Sequence, residues 1–130
     1  MDIDNSAQKD STGVKMLLIV EDDEGIGALL IHAIQQETTY QAVLASDGFE
    51  ALKMLRTLKP DLLILDYCLP DMNGLEIYDT IHAVQAFEHL PVLIISAETK
   101  SIQKEIEARH LSQLQKPFDL TDLLAVIDRL

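Results

Sequence analysis

Residues 62–74 read Leu62-Leu63-Ile64-Leu65-Asp66-Tyr67-Cys68-Leu69-Pro70-Asp71-Met72-Asn73-Gly74. An unbroken run of branched apolar residues enters this stretch, the carboxylate of Asp66 ends the run, and a loop rich in turn-forming residues follows. A run this short and this apolar is typical of a strand buried on both faces, in the middle of a parallel sheet. Ligands bind outside the carboxyl ends of the strands in such sheets, so Asp66 is predicted to lie at a binding edge.

Length and composition limit the classes of protein to which the chain can belong. Its 130 residues, 48% of them hydrophobic, suit one domain in which helices cover a single sheet. The net charge of −12 argues against binding to nucleic acid or to an anionic membrane surface. A single cysteine excludes an internal disulfide, and we find neither a run long enough to span a membrane nor the pattern of a secretory signal. We therefore expect a soluble, cytoplasmic protein.

Three further runs predict additional strands at residues 16–20, 40–45 and 91–95, and residues 111–115 form a fifth strand with a poorer apolar pattern. A helical stripe of apolar residues follows each strand, and the first stripe consists of Ile26, Leu29, Leu30, Ala33 and Ile34. This regular alternation predicts an α/β fold, a doubly wound five-stranded parallel sheet in the order 2-1-3-4-5 with five helices, as in flavodoxin-like folds. The domain is expected to span residues 15–130, after a polar, disordered leader at residues 1–14.

The predicted order brings the carboxyl ends of four strands to one edge, where they carry Glu21 with Asp22, Asp66, Ser96 and Lys116. Three carboxylates this close would repel one another, and a divalent cation relieves that repulsion. Oxygen ligands with few protein donors suit Mg²⁺, so the three acids are candidate metal ligands. The lysine ammonium and the serine hydroxyl are suited to contact the oxygens of a phosphoryl group.

Asp66 is the candidate nucleophile, because an aspartate can attack phosphorus and form an aspartyl phosphate. A metal ion and Lys116 would neutralise the charge that develops on the transferred group. Each residue also has a plain structural interpretation: the acids at 21–22 as a solvated helix start, Asp66 as a turn former at the end of its strand, Ser96 as a loop or capping residue and Lys116 as a loop residue. Their joint placement at four strand ends favours the chemical interpretation.

Four motifs carry a resemblance to a known family. In chain order they are Leu18-Ile19-Val20-Glu21-Asp22-Asp23, Asp66 with Leu69-Pro70-Asp71-Met72-Asn73-Gly74, Ser96-Ala97, and Lys116-Pro117-Phe118. Together they resemble the receiver domain of two-component response regulators, over residues 15–130. The resemblance implies a fold of five βα units, and in this family the bond before the proline of the last motif is commonly cis.

The resemblance implies a signalling domain rather than a turnover enzyme, because such a domain catalyses only its own phosphorylation and dephosphorylation. Asp66 would accept a phosphoryl group from a phosphohistidine on a sensor histidine kinase or a histidine phosphotransfer protein. Glu21, Asp22 and Asp66 would hold Mg²⁺ together with the backbone carbonyl of Cys68. Two side chains would contact the phosphoryl oxygens, those of Ser96 and Lys116. The surface around the fourth helix and fifth strand would then change, and an output domain or effector protein would sense the change.

Two positions depart from the family pattern. Gln113 stands three residues before Lys116, where the family has an aromatic residue that acts as a switch together with the hydroxyl at Ser96. We expect the coupling between the phosphoryl site and the fourth-helix surface to be weaker than usual or to use other contacts.

Cys68 stands two residues after Asp66, beside the route by which water would attack the aspartyl phosphate. A thiol positions water poorly, so Cys68 is predicted to affect the phosphoryl lifetime, or else to be a small filler.

Two other functions are compatible with parts of the sequence. The first is a degenerate receiver, a protein-binding module that works without phosphorylation; Gln113 agrees with it, and metal affinity would distinguish it. The second is a Mg²⁺-dependent phosphohydrolase of the haloacid dehalogenase kind. Such enzymes need a second aspartate at the position of Cys68 and a substrate cap, for which this chain has no room. The sequence fits either a stand-alone receiver or one module of a longer regulator or hybrid kinase.

Overall fold

The computed structural model describes residues 13–98 and 100–130, so the predicted leader at residues 1–14 lies outside the described residues except at Gly13 and Val14. Within the described part of the chain, five parallel strands alternate with five α-helices, in the sheet order 2-1-3-4-5 that the sequence predicts. The strands are β1 (Lys15–Val20), β2 (Tyr40–Ala45), β3 (Leu62–Asp66), β4 (Val92–Ser96) and β5 (Ser112–Gln115). The helices are α1 (Glu24–Glu37), α2 (Gly48–Met54), α3 (Gly74–His82), α4 (Gln103–Ala108) and α5 (Leu120–Arg129), with a 3₁₀ turn at Gln85–Phe87.

Side chains of the central strands alternate between two apolar layers, one on each face of the sheet. Leu18 and Leu63 belong to the layer that packs against α2, α3 and α4. Leu17 and Leu62 belong to the opposite layer, which packs against α1 and α5. The strands β3 and β4 are buried along their whole length, as the unbroken apolar runs predict. No helix within the described residues combines the length and apolar character needed to cross a lipid bilayer.

Four of the helices begin with a side-chain cap at the carboxyl edge of the sheet. Asp23 Oδ1 accepts a hydrogen bond from Ile26 N at 2.9 Å, and three other residues cap their helices in the same way: Asp47, Asn73 and Asp119. Capping therefore explains Asp23 within the acidic run at residues 21–24. The two acids that precede it at the end of β1 are left for another role.

Two residues of the predicted core stripe of α1 are exposed. Ile26 and Leu29 are 43% and 56% exposed, whereas Leu30 is buried. The side of α1 that carries them faces a groove of about 790 Å³, which continues over Phe118 and Leu120 at the start of α5. The predicted stripe is too wide, because helical spacing does not reveal how far the neighbouring helix covers it.

Candidate functional site

Parallel register brings the ends of β1 and β3 to the same level. Val20 pairs with Leu65, so Glu21 follows β1 beside Asp66, the last residue of β3. The ligand oxygens of Glu21, Asp22 and Asp66 lie within 4.8 Å of one another. Glu21 and Asp66 are each only 5% exposed, whereas Asp22 faces solvent. The three acids singled out in the sequence therefore form one cluster at the edge of the sheet.

Asp66 is held by one hydrogen bond to each carboxylate oxygen. Lys116 Nζ donates to Oδ2 at 2.8 Å, and Cys68 N donates to Oδ1 at 3.1 Å. The same ammonium lies 3.8 Å from Glu21 Oε1, so one cation faces two buried carboxylates. The peptide bond between Lys116 and Pro117 is cis. These contacts orient the Asp66 carboxylate in the ligand-free protein.

The pKa values of the cluster reflect burial and an excess of negative charge. Burial raises the pKa of Glu21 to about 7; the hydrogen bond from Asp23 N at 3.1 Å opposes the rise, and the charge of Asp66 adds to it. Burial alone would lower the pKa of Lys116, but the hydrogen bond to Asp66 and the surrounding carboxylates outweigh it, and the pKa is raised. Lys116 therefore stays charged, whereas Glu21 binds a proton near neutral pH.

The donor set of the cluster fits a small, hard dication. Three carboxylates face one ammonium, and the ligand atoms that the side chains offer are oxygens, which Mg²⁺ prefers. Glu21, Asp22 and Asp66 would hold the ion and leave positions for water and for a phosphoryl oxygen. A bound dication would also favour the ionised form of Glu21, which is otherwise part-protonated at neutral pH.

The loop at residues 67–73 folds back against β3. Gly74 N donates to Tyr67 O at 2.9 Å, and Cys68 forms an isolated antiparallel bridge with Asn73 at the base of the loop. A Cβ on Gly74 would lie 2.8 Å from the carbonyl oxygen of Asp66, so a side chain at this position would push α3 away from β3. The loop therefore stays close to β3, and the Cys68 backbone lies beside the Asp66 carboxylate.

A family model described as the response regulator receiver domain matches residues 17–128 of the chain. This chain belongs to the response regulator receiver domain family. The match covers the five strands almost completely, together with all four motifs on which the predicted resemblance depends. The predicted family is therefore confirmed.

Relatives of this receiver domain differ in how much of their own length it spans. Sporulation initiation phosphotransferase F from Bacillus subtilis (strain 168) is 35% identical over 109 residues, which cover 82% of this chain and 86% of that protein. The alkaline phosphatase synthesis transcriptional regulatory protein PhoP from the same organism is 34% identical over 106 residues, and the chain spans only 43% of its length. The solved structure of chemotaxis response regulator CheY4 of Vibrio cholerae has a TM-score of 0.82 and 28% identity, with coverage of 89% of this chain and 98% of CheY4.

Ser96 ends β4 of the receiver domain and is 2% exposed. Its hydroxyl donates to Glu98 O at 3.1 Å and accepts from Glu98 N at 2.8 Å. The structure thus brings Ser96 to the predicted edge of the sheet, but its hydroxyl is bonded within its own turn. A hydrogen bond donated by this hydroxyl to a group on Asp66 would have to replace the one that it donates to Glu98 O.

Gln113 lies on β5 opposite Ile94 of β4. Its Nε2 is buried and has no hydrogen-bond partner among the described residues. Residues two apart on a strand face the same side of the sheet, so Gln113 shares the face of Ile94 and Ser96. A buried donor without a partner costs about 1–3 kcal/mol, so Gln113 would gain free energy from an acceptor on the face of Ser96.

Asp71 belongs to the motif at residues 69–74, but sequence reasoning assigns it no role of its own. Its Oδ1 accepts from Gly48 N at 2.9 Å, and its Oδ2 accepts from Phe49 N at 2.8 Å. The N–H group of Gly48 lowers the pKa of Asp71 most, desolvation opposes it, and the N–H group of Phe49 adds to the lowering. The two donors lie 23 and 22 residues earlier in the chain, so no local pattern pairs them with Asp71.

Proposed function

We propose that this receiver domain accepts a phosphoryl group on Asp66 from a phosphohistidine donor, in a Mg²⁺-dependent reaction, and thereby switches a protein-interaction surface. The observation that carries the proposal is the bonding of the Asp66 carboxylate, with Lys116 Nζ on one oxygen and Cys68 N on the other, inside the three-acid cluster. A carboxylate that served only to form a turn would not require a cation and two further acids beside it.

The chemistry follows from the positions of these side chains. An oxygen of Asp66 attacks the phosphorus, the O–P bond forms, and the P–N bond to the donor imidazole breaks. Lys116 contacts a phosphoryl oxygen while negative charge spreads over the transferred group. Glu21, Asp22 and Asp66, with the Cys68 carbonyl, would hold Mg²⁺, which supplies further neutralisation of that charge when bound. The resting bond between Lys116 and Asp66 keeps the ammonium within reach of the arriving group.

Ser96 and Gln113 are the proposed switch residues. To reach a phosphoryl oxygen, the Ser96 hydroxyl must leave the Glu98 backbone, and the Glu98 carbonyl then loses its donor. Gln113 Nε2 is an unused donor on the same face of the sheet, so it is available to replace the lost bond. In this proposal a polar amide replaces the aromatic switch of the wider family.

The proposed partners follow from the phosphohistidine chemistry. A sensor histidine kinase or a histidine phosphotransfer protein would donate the phosphoryl group, and an output domain or effector protein would read the switch. The names of two relatives support this proposal, since one is a phosphotransferase and the other a transcriptional regulatory protein. The net charge of −12 disfavours direct nucleic-acid binding by this domain, and the proposed location is the cytoplasm.

Cys68 is proposed to influence how long the phosphoryl group persists. Its backbone is bonded to Asp66, and its thiol is exposed. Because a thiol holds an attacking water less well than an amide, Cys68→Asn is expected to change the rate of dephosphorylation, with Cys68→Ser as the control for size. An unchanged decay rate in Cys68→Asn would leave Cys68 as a packing residue.

The alternative function is a degenerate receiver that binds its partner without phosphorylation. Gln113 favours this alternative, because it departs from the aromatic readout that the family pattern implies. The acceptor cluster argues against it. Mg²⁺ affinity separates the two functions, because only the acceptor requires the metal.

The test is an intact mass measurement after incubation with Mg²⁺ and acetyl phosphate. The protein should gain one phosphoryl group, and the gain should be absent from Asp66→Asn and from a metal-free sample. No gain in a folded protein that also fails to bind Mg²⁺ would support the degenerate receiver instead. If Mg²⁺ binds without a gain, a quenched time course with a cognate kinase tests for a donor-selective or short-lived site.

A further inference from the structure

The loop at residues 67–73 is held at its tip as well as at its base. At the base, Cys68 pairs with Asn73, and Cys68 N donates to Asp66 Oδ1 at 3.1 Å. At the tip, the carboxylate of Asp71 reaches α2, where its two oxygens accept separately from Gly48 N and Phe49 N at 2.9 and 2.8 Å. The tip is therefore attached to an element that follows a different strand.

The first turn of α2 has no side chain at Gly48, where the tip of this loop packs against it. Gly48 is buried, and a Cβ there would collide with Cγ and Sδ of Met72 and would lie 3.2 Å from Asp71 Oδ1. Met72 is half-buried and packs against the apolar layer under α2, α3 and α4. The bare backbone at Gly48 is what allows the loop tip to approach.

Asp71 is not needed as the N-cap of α2. Asp47 holds that position, and its Oδ1 accepts from Glu50 N at 2.7 Å. The first N–H groups of a helix have no partner within the helix, and those of Gly48 and Phe49 are satisfied by Asp71 from outside it. Two residues thus serve the same helix start, one from the helix's own chain segment and one from the loop beside Asp66.

We propose that Asp71 is a positioning residue for the phosphoacceptor site, an inference that rests on the proposed function. By attaching the loop tip to α2, Asp71 restricts the loop and holds the Cys68 backbone beside Asp66. The Cys68 N–H then orients the Asp66 carboxylate, and the Cys68 carbonyl is kept in place as a metal ligand. Release of the tip would give the base of the loop more freedom and weaken both contributions.

The test compares two substitutions that remove side-chain bonds from the same helix start. Asp71→Ala releases the loop, whereas Asp47→Ala removes the N-cap and leaves the loop attached. Amide hydrogen exchange at Cys68 and Gly74 is measured without metal, followed by Mg²⁺ affinity and thermal unfolding. Asp71→Ala should speed exchange at both amides and weaken Mg²⁺ binding by about tenfold, the usual effect of losing a partner behind a metal ligand. Asp47→Ala should lower thermal stability with neither change.

Asp71→Asn provides a second variant in case Asp71→Ala fails to fold. Its amide keeps one oxygen as an acceptor and places an NH₂ donor against the other N–H group, so its exchange rate and Mg²⁺ affinity should lie between those of wild type and Asp71→Ala. Equal effects of the Asp71 and Asp47 substitutions on exchange and Mg²⁺ affinity, or none at Asp71, would overturn the proposal and make Asp71 an ordinary helix cap. If the wild type neither binds Mg²⁺ nor takes up phosphoryl, the proposed function fails, while metal-free exchange still decides whether Asp71 positions the loop.

Discussion

At the carboxyl edge of the sheet, the proposed acceptor group and the proposed readout group are bonded to different extents. The acceptor group consists of Glu21, Asp22, Asp66 and Lys116, and both oxygens of its central carboxylate already accept hydrogen bonds. The readout group consists of Ser96 and Gln113. Its hydroxyl is bonded within a local turn, and its amide nitrogen is buried without a partner among the described residues.

This difference separates the chemistry of the domain from its response. The acceptor group is assembled in the resting protein, so phosphoryl uptake should depend on it and on the loop that holds it, and not on the readout group. The readout group must rearrange before it contacts a phosphoryl group, so its substitution should alter stability and the response rather than uptake. The predictions below address one side of this comparison at a time.

The largest effect is expected at Lys116. Lys116→Met removes the only ammonium bonded to Asp66 among the described residues, and loss of such a stabilising contact slows phosphoryl uptake by about 100-fold or more. The rate is measured by intact mass with acetyl phosphate and Mg²⁺. The matched control is Lys53→Met, which changes the net charge equally on the exposed surface of α2. Equal rates in the two variants would remove Lys116 from the acceptor group.

The pH dependence of Mg²⁺ binding is expected to follow Glu21. With a pKa of about 7, Glu21 is mostly ionised at pH 8 and mostly protonated at pH 6, so the affinity should fall by about tenfold over that interval. Isothermal titration at several pH values measures the Mg²⁺ affinity, and Glu21→Gln should flatten its pH dependence.

The folding stability of the metal-free protein should change with pH in the opposite direction to the Mg²⁺ affinity. The raised pKa gives a stability contribution that is present below the ordinary value of 4.5 and is lost as the pH rises through about 7.

Gln113→Leu tests the readout group. Removal of the unpartnered amide should stabilise the receiver by about 1–2 kcal/mol in urea unfolding, because the variant has no buried donor without a hydrogen-bond partner at this position. Phosphoryl uptake should stay unchanged, while the chemical-shift changes around α4 on phosphorylation should shrink. The control is Gln115→Leu, at an exposed position on the same strand. A loss of stability in Gln113→Leu would contradict the account and indicate that the amide is bonded at rest.

The smallest effect is expected at the ion pair that joins α3 to α4. Arg109 Nε and Nη2 donate to the two oxygens of Asp79 at 2.8 Å each, on a partly exposed surface. A double-mutant cycle with Asp79→Asn and Arg109→Gln should give a coupling free energy of about 0.5–1 kcal/mol. The hydrogen bond from Arg109 lowers the pKa of Asp79, so this contribution is present above the ordinary pKa and is lost as the pH falls through the lowered value. A coupling of several kcal/mol would show that the two helices are held together far more tightly.

Periodicity accounts for the fold and for the residues that meet at the edge of the sheet. The sequence predicts all five strands to within one residue at either end. The pattern is clearest for β3 and β4, because a strand covered on both faces has no polar positions to interrupt it. The same pattern places Glu21 and Asp66 at neighbouring strand ends, where the register of β1 and β3 brings them together. This much follows from local sequence and the topology of parallel sheets.

Side-chain conformations and contacts between distant segments do not follow from those patterns. The Ser96 hydroxyl has a choice between its own turn and the acceptor group, and the sequence does not indicate which it takes. The exposure of Ile26 and Leu29 depends on the extent of α5, and the bond from Asp71 to α2 crosses more than 20 residues of chain. Such features depend on tertiary packing, which a single sequence read locally does not contain.

The identity of the phosphorylated residue tests the central claim most directly. The protein is incubated with Mg²⁺ and acetyl phosphate and then treated with borohydride, which reduces an aspartyl phosphate to homoserine. Peptide mass mapping should find homoserine at position 66 and nowhere else, with none in the metal-free sample. Homoserine at another acid, or a stable phosphoryl group on a different residue with position 66 unchanged, would contradict the assignment of Asp66 as the acceptor.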